Sequence, residues 1–337
     1  MHFGNQRIIQ CIISKTKLAI DFSLGGKVDT SPHKSDFVDV NRIRLHYLDW
    51  GGNGPALLFL PGMGCNAHIF DHFALRFTDH FHVLALTRRG HGESDHPNTG
   101  YDIDTLTEDI RLFLDTLKID QLILVGHSMA GMELSHFAAT HPRRILSLIY
   151  LDAAFYRNSP EFKSMQEKNP LREIQIPGLN DDYYSAQDYF ASLKRAYPSL
   201  AEIWGSVIEE QGFHEITIQP DGKVVDRMTE TIESALNVTV SSYDPEDAKI
   251  QAPTLSFYAF PDGTSFISQE YMTEAQQKQV IEFFETTRLA WLQHSMEQFR
   301  RNVPHAKIVE IPHGHHYCFI KQEEIVFAEM RKFLLSS

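Results

Sequence analysis

The chain has few cysteines and lacks any long basic or apolar run. Its 337 residues include three cysteines, Cys11, Cys65 and Cys318, which are too widely spaced for a CxxC pair or a disulfide framework. This usage favours buried thiols in a reducing compartment, so we expect a cytoplasmic protein. The formal net charge of -13 argues against nucleic acid as a partner, because an acidic chain repels phosphate backbones.

The N-terminal segment carries one short apolar patch. Residues 8–13 follow Arg7, and Lys15 and Lys17 interrupt the sequence beyond them. The patch is too short to span a membrane, and no small-residue cleavage site follows it. We therefore predict an N-terminal extension over residues 1–35 and no membrane span. A secreted or periplasmic location stays open if the patch is a degenerate secretion signal.

Apolar runs alternate with helical patterns from about residue 36, as expected for strands that alternate with helices. The pattern predicts an α/β fold with a mostly parallel central sheet and helices on both faces. A first hairpin is expected around Asn41 and Arg42, and Thr105 and Glu108 have the spacing of a capping box that opens a helix over 105–117. The apolar runs are "ALLFL" (56–60), "HVLAL" (82–86), "QLILVG" (121–126), "LSLIYLD" (146–152), "TLSFYA" (254–259) and "KIVEI" (307–311).

The alternation breaks between residues 155 and 250, where Tyr, Pro, Ser and charged residues are more frequent. The stretch "IQPDGKVV" within it has turn residues flanked by β-prone residues, which predicts a small hairpin. We therefore predict a mainly helical cap inserted over 155–250. The α/β core is expected to comprise residues 36–154 and 251–337.

The stretch "LVGHSMAGMEL" (124–134) places Ser128 between a buried strand and a helical pattern. A serine on such a turn can project its hydroxyl above the carboxyl edge of a sheet, provided that its neighbours are small. Gly126, Ala130 and Gly131 meet this condition. We predict Ser128 as a nucleophile; a serine that only caps the helix is the structural alternative.

A nucleophilic serine needs a histidine base and an acid that orients the base. The loop "PHGHHYCFI" after the last predicted strand contains His316, our predicted base, and His315, the alternative. Asp262, in the loop "FPDGTSF" after the preceding strand, is the predicted acid, and Asp152 at the end of "LIYLD" is its rival. The histidine run lacks the Cys or carboxylate partners of a metal site, so we predict no metal and no cofactor.

The loop "FLPGMG" (59–64) is the candidate oxyanion hole. Its glycines let the backbone approach a reacting carbonyl, and the Met63 amide is the predicted donor. The second donor would be the amide of Met129, directly after the nucleophile. The loop fits neither GxGxxG nor GxxxxGK[ST], so the sequence does not favour phosphate binding.

Together these motifs, with "LTRRGHGESDHP" (86–97), resemble the α/β-hydrolase superfamily and in particular its capped, esterase-like serine hydrolases. The resemblance covers residues 36–154 and 251–337 and implies Ser128, Asp262 and His316 as nucleophile, acid and base. Pro61 stands where many members have histidine, and Ala130 replaces a glycine of the serine turn, which leaves the subfamily open.

A serine nucleophile separates this chain from relatives of the same fold that use aspartate, such as epoxide hydrolases. We expect a small acyl ester or lactone as substrate. A peptidase or amidase, a C–C bond hydrolase, and a slow-turnover binding or signalling protein are the alternatives. Nothing in the sequence indicates the oligomeric state.

Overall fold

The computed structural model describes residues 32–178 and 181–336. The predicted N-terminal extension falls largely on residues 1–31, so both it and the question of a secretion signal lie outside the described residues. Of the helices in the described ranges, none combines the length and the apolar character that a membrane crossing requires.

A mostly parallel sheet forms the centre of the structure, as the alternation of apolar runs and helices predicts. In the described part of the chain it has eight strands in the order β1-β2-β4-β3-β5-β6-β9-β10. The β1–β2 and β2–β4 pairs are antiparallel and the other pairs are parallel. The strands are Lys34–Val40 (β1), Ile43–Gly51 (β2), Ala56–Leu60 (β3), His82–Leu86 (β4), Leu122–His127 (β5), Ile145–Leu151 (β6), Ile216–Ile218 (β7), Val224–Asp226 (β8), Thr254–Phe260 (β9) and Lys307–Pro312 (β10).

Helices follow most of the parallel strands, and one π-helical turn, Phe284–Arg288, joins two of them. The helices are Asp71–Leu75 (α1), Ile103–Thr116 (α2), Ala130–Thr140 (α3), Pro160–Glu167 (α4), Ala186–Ala196 (α5), Pro198–Glu202 (α6), Ser206–Glu215 (α7), Glu230–Ser242 (α8), Glu274–Phe283 (α9), Leu289–Asn302 (α10), Cys318–Lys321 (α11) and Glu323–Leu335 (α12).

Side-chain alternation along the central strands builds a core on each face of the sheet. In β3, Leu58 packs into one apolar cluster, whereas Leu57 and Phe59 pack into the other. Helices α2, α3 and α10 contribute to the first cluster, and α1 and α12 contribute to the second. Because both faces are covered, β3 and β5 are buried along their whole length. The predicted α/β architecture is confirmed.

Two local predictions can be compared with the backbone. Asn41 and Arg42 have φ values of 49° and 63°, the left-handed pair that a tight two-residue hairpin turn needs, and they join β1 to β2. The capping box expected at Thr105 is corrected: Asp102 caps α2, and its carboxylate accepts hydrogen bonds from the Thr105 amide at 2.9 Å and from the Thr105 hydroxyl. The helix therefore starts at Ile103.

Residues 155–250 contain helices α4–α8 and the antiparallel β7–β8 hairpin that the "IQPDGKVV" stretch predicts. One end of α7 contacts the core through polar groups. The Asn66 side chain donates to Glu215 at 2.8 Å, and the Gly92 amide donates to the same carboxylate at 3.1 Å. These bonds tie α7 to the loops after β3 and β4. The limits of the inserted segment remain predictions.

A partly buried ion-pair group reinforces the same contact. His214 on α7 lies 3.3 Å from Glu93 and 3.5 Å from Glu210, and its ring stacks on that of His68 at 3.9 Å. Burial disfavours the charge of His214, but the two carboxylates outweigh burial and raise the pKa of His214 to about 9. Burial likewise opposes the charge of Glu93, yet His214 prevails and lowers the pKa of Glu93 to about 2.

These shifts predict a pH window for the stability of the α7 contact. A raised histidine pKa contributes stability that is complete below the unfolded value, about 6.5, and is lost as pH rises through the folded value. The depressed Glu93 pKa gives the acidic limit, because its contribution is lost as pH falls below about 4.5. We expect wild-type protein to have a higher thermal midpoint than His214→Gln at pH 6, with a gap that closes as pH approaches 10.

Differential scanning calorimetry of both proteins between pH 5 and pH 10 measures this gap. His72→Gln is the control, since it removes a histidine that is exposed on α1. A gap between wild type and His214→Gln that stays constant across this range would show that the His214 charge does not stabilise the contact.

Candidate active site

Ser128 occupies the turn between β5 and α3 with a φ of 56°, in the left-handed region that non-glycine residues rarely adopt. Its amide donates to the Leu151 carbonyl at 3.3 Å, which joins the turn to the end of β6. A Cβ on Gly131 would lie 2.0 Å from the Ala153 carbonyl oxygen, so α3 can follow the turn only with glycine at this position. The small neighbours noted in the sequence are therefore a packing requirement.

His316 contacts the serine directly. It lies in the loop between β10 and α11, and its Nε2 is 2.9 Å from the Ser128 Oγ. Its side chain is 32% exposed, so the imidazole is partly accessible to solvent. The Nδ1 of the same ring is 2.6 Å from an Asp152 carboxylate oxygen. One imidazole thus connects a hydroxyl to a carboxylate.

Asp152 follows β6 directly and is 3% exposed. Its backbone is also left-handed, with a φ of 48°, and its second carboxylate oxygen accepts the Ala259 amide at 2.9 Å. Because β6 lies between β5 and β9 in the sheet, the end of β6 is next to the serine turn. The strand order therefore places Asp152, the alternative acid of the sequence analysis, beside His316.

The prediction that Asp262 orients His316 is corrected. Asp262 caps the short 3-10 turn Gly263–Phe266, where it accepts the Thr264 amide at 3.0 Å. Its other near neighbour is the exposed His313, whose Nδ1 is 3.5 Å away. The Asp262 carboxylate forms its hydrogen bonds within its own loop, and Asp152 is the carboxylate that binds His316.

His315, the alternative base, faces a different partner. Its Nε2 donates to the Ser199 carbonyl at 2.9 Å, and its Nδ1 accepts the Tyr317 amide at 3.0 Å. With both ring nitrogens occupied, His315 links the loop after β10 to the segment that contains α5–α8. Of the two histidines, the structure brings only His316 to Ser128.

The loop "FLPGMG" lies against the serine turn. A Cβ on Gly62 would be 3.0 Å from both the Ser128 Cβ and the His127 Nδ1, so this backbone already makes close contact. In residues 32–178 and 181–336, no protein group accepts a hydrogen bond from the Met63 or Met129 amides. Both predicted oxyanion donors are therefore free to bind a ligand oxygen.

A buried ion pair holds this loop. Arg88 donates to the Pro61 carbonyl at 2.9 Å and to Glu133 on α3 at 2.8 Å. Burial raises the pKa of Glu133, and the Arg88 charge opposes that rise. The Arg88 guanidinium thus bridges the loop that contains Met63 and the helix that follows Ser128. This bridge holds the Met63 and Met129 amides in a fixed position relative to each other.

Arg88 and His127 support the site but are not among the sequence predictions. Arg88 lies in the segment "LTRRGHGESDHP" (86–97), directly before Arg89 and Gly90, so its sequence context was a usable signal. His127 is buried, and its Nε2 donates to the His316 carbonyl at 3.1 Å. Burial, followed by the charge of His316, lowers the pKa of His127 well below its ordinary value. A neutral His127 thus supports the loop that carries His316.

The other chemically active side chains near the site differ in accessibility. Cys65 is buried, and burial raises the pKa of its thiol to about 12, which makes it a poor nucleophile.

Two groups in the described part of the chain have ligand atoms close enough for a metal ion: His33, His68 and Asp71, and His46, His68 and Glu93. The rings of His46 and His68 are stacked, with an interplanar angle of 18°. A histidine binds a metal ion in the plane of its ring, and one ion cannot lie in the planes of two stacked rings, so this arrangement is unsuited to a shared ion.

Comparison with known proteins agrees with this architecture. Residues 55–195 match a family model described as the alpha/beta hydrolase fold. A 2-(acetamidomethylene)succinate hydrolase from Mesorhizobium japonicum is 33% identical over 179 residues, which cover 53% of this chain and 62% of that protein. The matched region is thus less than two thirds of that relative's length.

Solved structures extend the likeness over nearly the whole described chain. The crystal structure of E-2-(acetamidomethylene)succinate hydrolase aligns with a TM-score of 0.70 at 22% identity, covering 90% of this chain and 99% of that one. An enol-lactonase from Burkholderia xenovorans aligns with a TM-score of 0.56 at 22% identity, covering 89% and 100%. At these identities the likeness concerns the fold. Together with the family match and the serine turn after β5, it shows that this chain has the α/β-hydrolase fold.

Proposed function

We propose that the protein is a serine hydrolase that cleaves a small carboxylic ester or lactone through an acyl-enzyme intermediate. The observation that carries this proposal is the hydrogen-bonded series from the Ser128 hydroxyl through His316 to Asp152. Ser128 is the nucleophile, His316 the general base and acid, and Asp152 the carboxylate that orients the histidine.

The distances support a complete proton pathway. With Nδ1–H donating to Asp152, the unprotonated Nε2 of His316 accepts the Ser128 proton as the hydroxyl oxygen attacks the acyl carbon. The imidazolium that forms is stabilised by Asp152. It then returns the proton to the leaving alcohol, and the same nitrogen activates a water molecule that hydrolyses the acyl-enzyme.

The Met63 and Met129 amides are the proposed donors to the tetrahedral oxyanion. Met129 stands at the start of α3, where free backbone N–H groups and the helix dipole favour negative charge. We further propose that residues 155–250 act as a cap over the proposed active site. The His315–Ser199 hydrogen bond supports this role, because it anchors the segment beside the catalytic loop.

The named relatives are consistent with hydrolysis but differ in the bond they cleave. One is a hydrolase of 2-(acetamidomethylene)succinate and another is an enol-lactonase. Ester cleavage is our first proposal because serine attack on an activated acyl carbon requires nothing beyond the groups described. Labelling of Ser128 by a fluorophosphonate, with little turnover of esters or lactones, would favour amide or C–C bond cleavage instead. Labelling with no hydrolysis would favour a binding protein.

Replacing the proposed acid tests its assignment. Asp152→Asn keeps the size of the side chain but allows the wrong histidine tautomer, and we expect a loss in kcat of about 10⁴-fold. Asp262→Asn is the matched control, because asparagine can still cap its turn. Hydrolysis of 4-nitrophenyl acetate and butyrate measures both variants. The reverse ranking, with Asp262→Asn as the inactive variant, would refute the role of Asp152.

The oxyanion loop is tested at Gly62. Gly62→Ala introduces a methyl group 3.0 Å from the Ser128 Cβ, so the loop must shift. The shift moves the Met63 amide out of the position in which it would bind the oxyanion. We expect kcat to fall by roughly 10- to 100-fold, within the range for loss of an oxyanion donor, with a smaller change in KM. Gly205→Ala is the control, because the nearest atom to its Cβ would be 4.0 Å away. Unchanged kcat in a folded Gly62→Ala protein would contradict the assignment of this loop.

A further inference from the structure

Two arginines near the proposed active site lack an acidic partner. Arg157 comes five positions after Asp152, and Arg288 ends the π-helical turn between α9 and α10. Across the described ranges, neither guanidinium forms a hydrogen bond or an ion pair with a protein group, and the Arg288 Nε is fully buried. Both side chains are half-buried, so part of each can still reach solvent.

The other buried arginines of the chain behave differently. Arg88 pairs with Glu133, and Arg89 binds Asp109 through two nitrogens at 2.6 and 2.7 Å. Removing a guanidinium from water is costly unless a partner replaces the water. A chain with a net charge of -13 has carboxylates in excess, yet within residues 32–178 and 181–336 none of them forms an ion pair with Arg157 or Arg288. The two unpaired cations therefore indicate a missing anion.

An aromatic surface brings the two arginines together. The ring centroids of Phe155 and Trp291 are 5.2 Å apart. The Arg157 Cζ lies 5.1 Å from the Phe155 centroid, and the Arg288 Cζ lies 5.8 Å from the Trp291 centroid. Cation–π contacts of this kind hold a guanidinium in place without consuming its N–H donors. The donors stay available for a planar anion.

The backbone at Arg288 is unusual in the same way. Short π-helical turns inside a helical region shift the direction of the following side chains and are frequent at functional sites. The turn Phe284–Arg288 interrupts what would otherwise be one helix from Glu274 to Asn302. This irregularity is an independent sign that the position of Arg288 matters.

The arginines are close to the reacting groups. Both interact electrostatically with Asp152, and Arg157 also interacts with His127, the residue before Ser128. Burial lowers the pKa of Arg157 to about 10, with Asp152 opposing the shift, so the side chain remains cationic at neutral pH. The two oxygens of Asp152 bind the His316 ring and the Ala259 amide, and neither oxygen forms a hydrogen bond with Arg157 or Arg288.

We propose that Arg157 and Arg288 form a carboxylate-binding site, and that the substrate is an acyl ester or lactone whose acyl part carries a free carboxylate. This inference rests on the proposed function, because it concerns the substrate of the same site. The two guanidinium groups bind the carboxylate through charge-assisted, fork-shaped hydrogen bonds. The bound carboxylate fixes the direction of the acyl chain while Ser128 attacks its other end.

The test compares two ester series that differ only in this charge. One contains the mono-4-nitrophenyl esters of glutaric and adipic acid, and the other contains the same molecules with the free carboxylate masked as a methyl ester. Release of 4-nitrophenol gives kcat and KM for each. We expect wild type to prefer the free acids by at least tenfold in kcat/KM, mostly through a lower KM.

Substitution then identifies the arginines. Arg157→Gln and Arg288→Gln should each reduce the ratio of kcat/KM between free acid and methyl ester by about tenfold or more. Lysine at either position keeps the charge but not the fork, so it should restore part of that ratio. Arg172→Gln is the control, because Arg172 is an exposed arginine of the same inserted segment and should leave the ratio at its wild-type value.

The outcomes separate this inference from the proposed function. Turnover of both series at equal rates, dependent on Ser128, would overturn the carboxylate site and leave the serine hydrolase intact. Equal losses on both series in the arginine variants, with a shifted pH profile of kcat, would also overturn it, because the arginines would then act only on Asp152. Absence of any turnover and of fluorophosphonate labelling at Ser128 would refute the proposed function itself. If a glutamine variant does not fold, the lysine variants carry the same comparison.

Discussion

The left-handed backbone at Ser128 is the constraint on which the site depends. A non-glycine residue in this region costs about 1–3 kcal/mol and persists only where the surroundings enforce it. Here the Ser128 amide is bonded to Leu151, and Gly131 fits against Ala153 with no space for a side chain. The strain of the turn is therefore sustained by close packing between the start of α3 and the end of β6.

The same contact explains the position of the carboxylate that binds His316. Asp152 lies between Leu151 and Ala153, the two residues that hold the serine turn, and it too has a positive φ. Two neighbouring strands thus end in left-handed turns, one carrying the hydroxyl and the other the carboxylate. His316 follows a third strand and forms hydrogen bonds with both groups. His127 supports the loop that carries His316 through a hydrogen bond to the His316 carbonyl. A shift of β6 would disturb the serine and the carboxylate together.

Four arginines of the described chain differ in whether a carboxylate binds them. Arg88 and Arg89 are buried and paired, and they connect loops of the core to helices α3 and α2. Arg157 and Arg288 lie on an aromatic surface near Asp152 and have no such partner in the described part of the chain. Pairing stabilises the first group within the fold, whereas the second group has donors left over for a ligand.

The amino-acid sequence by itself determined the α/β architecture, the hairpin at Asn41 and Arg42, and the turn at Ser128. Apolar runs, left-handed turn residues and small neighbours are local requirements that a linear pattern can record. His316 was within reach because it follows the last strand of that pattern. Tertiary structure decided between Asp152 and Asp262, since both follow strands that end at the same edge of the sheet. Only the order of β6 and β9, and the hydrogen bond that keeps Asp262 on its own turn, selected the carboxylate that meets the histidine.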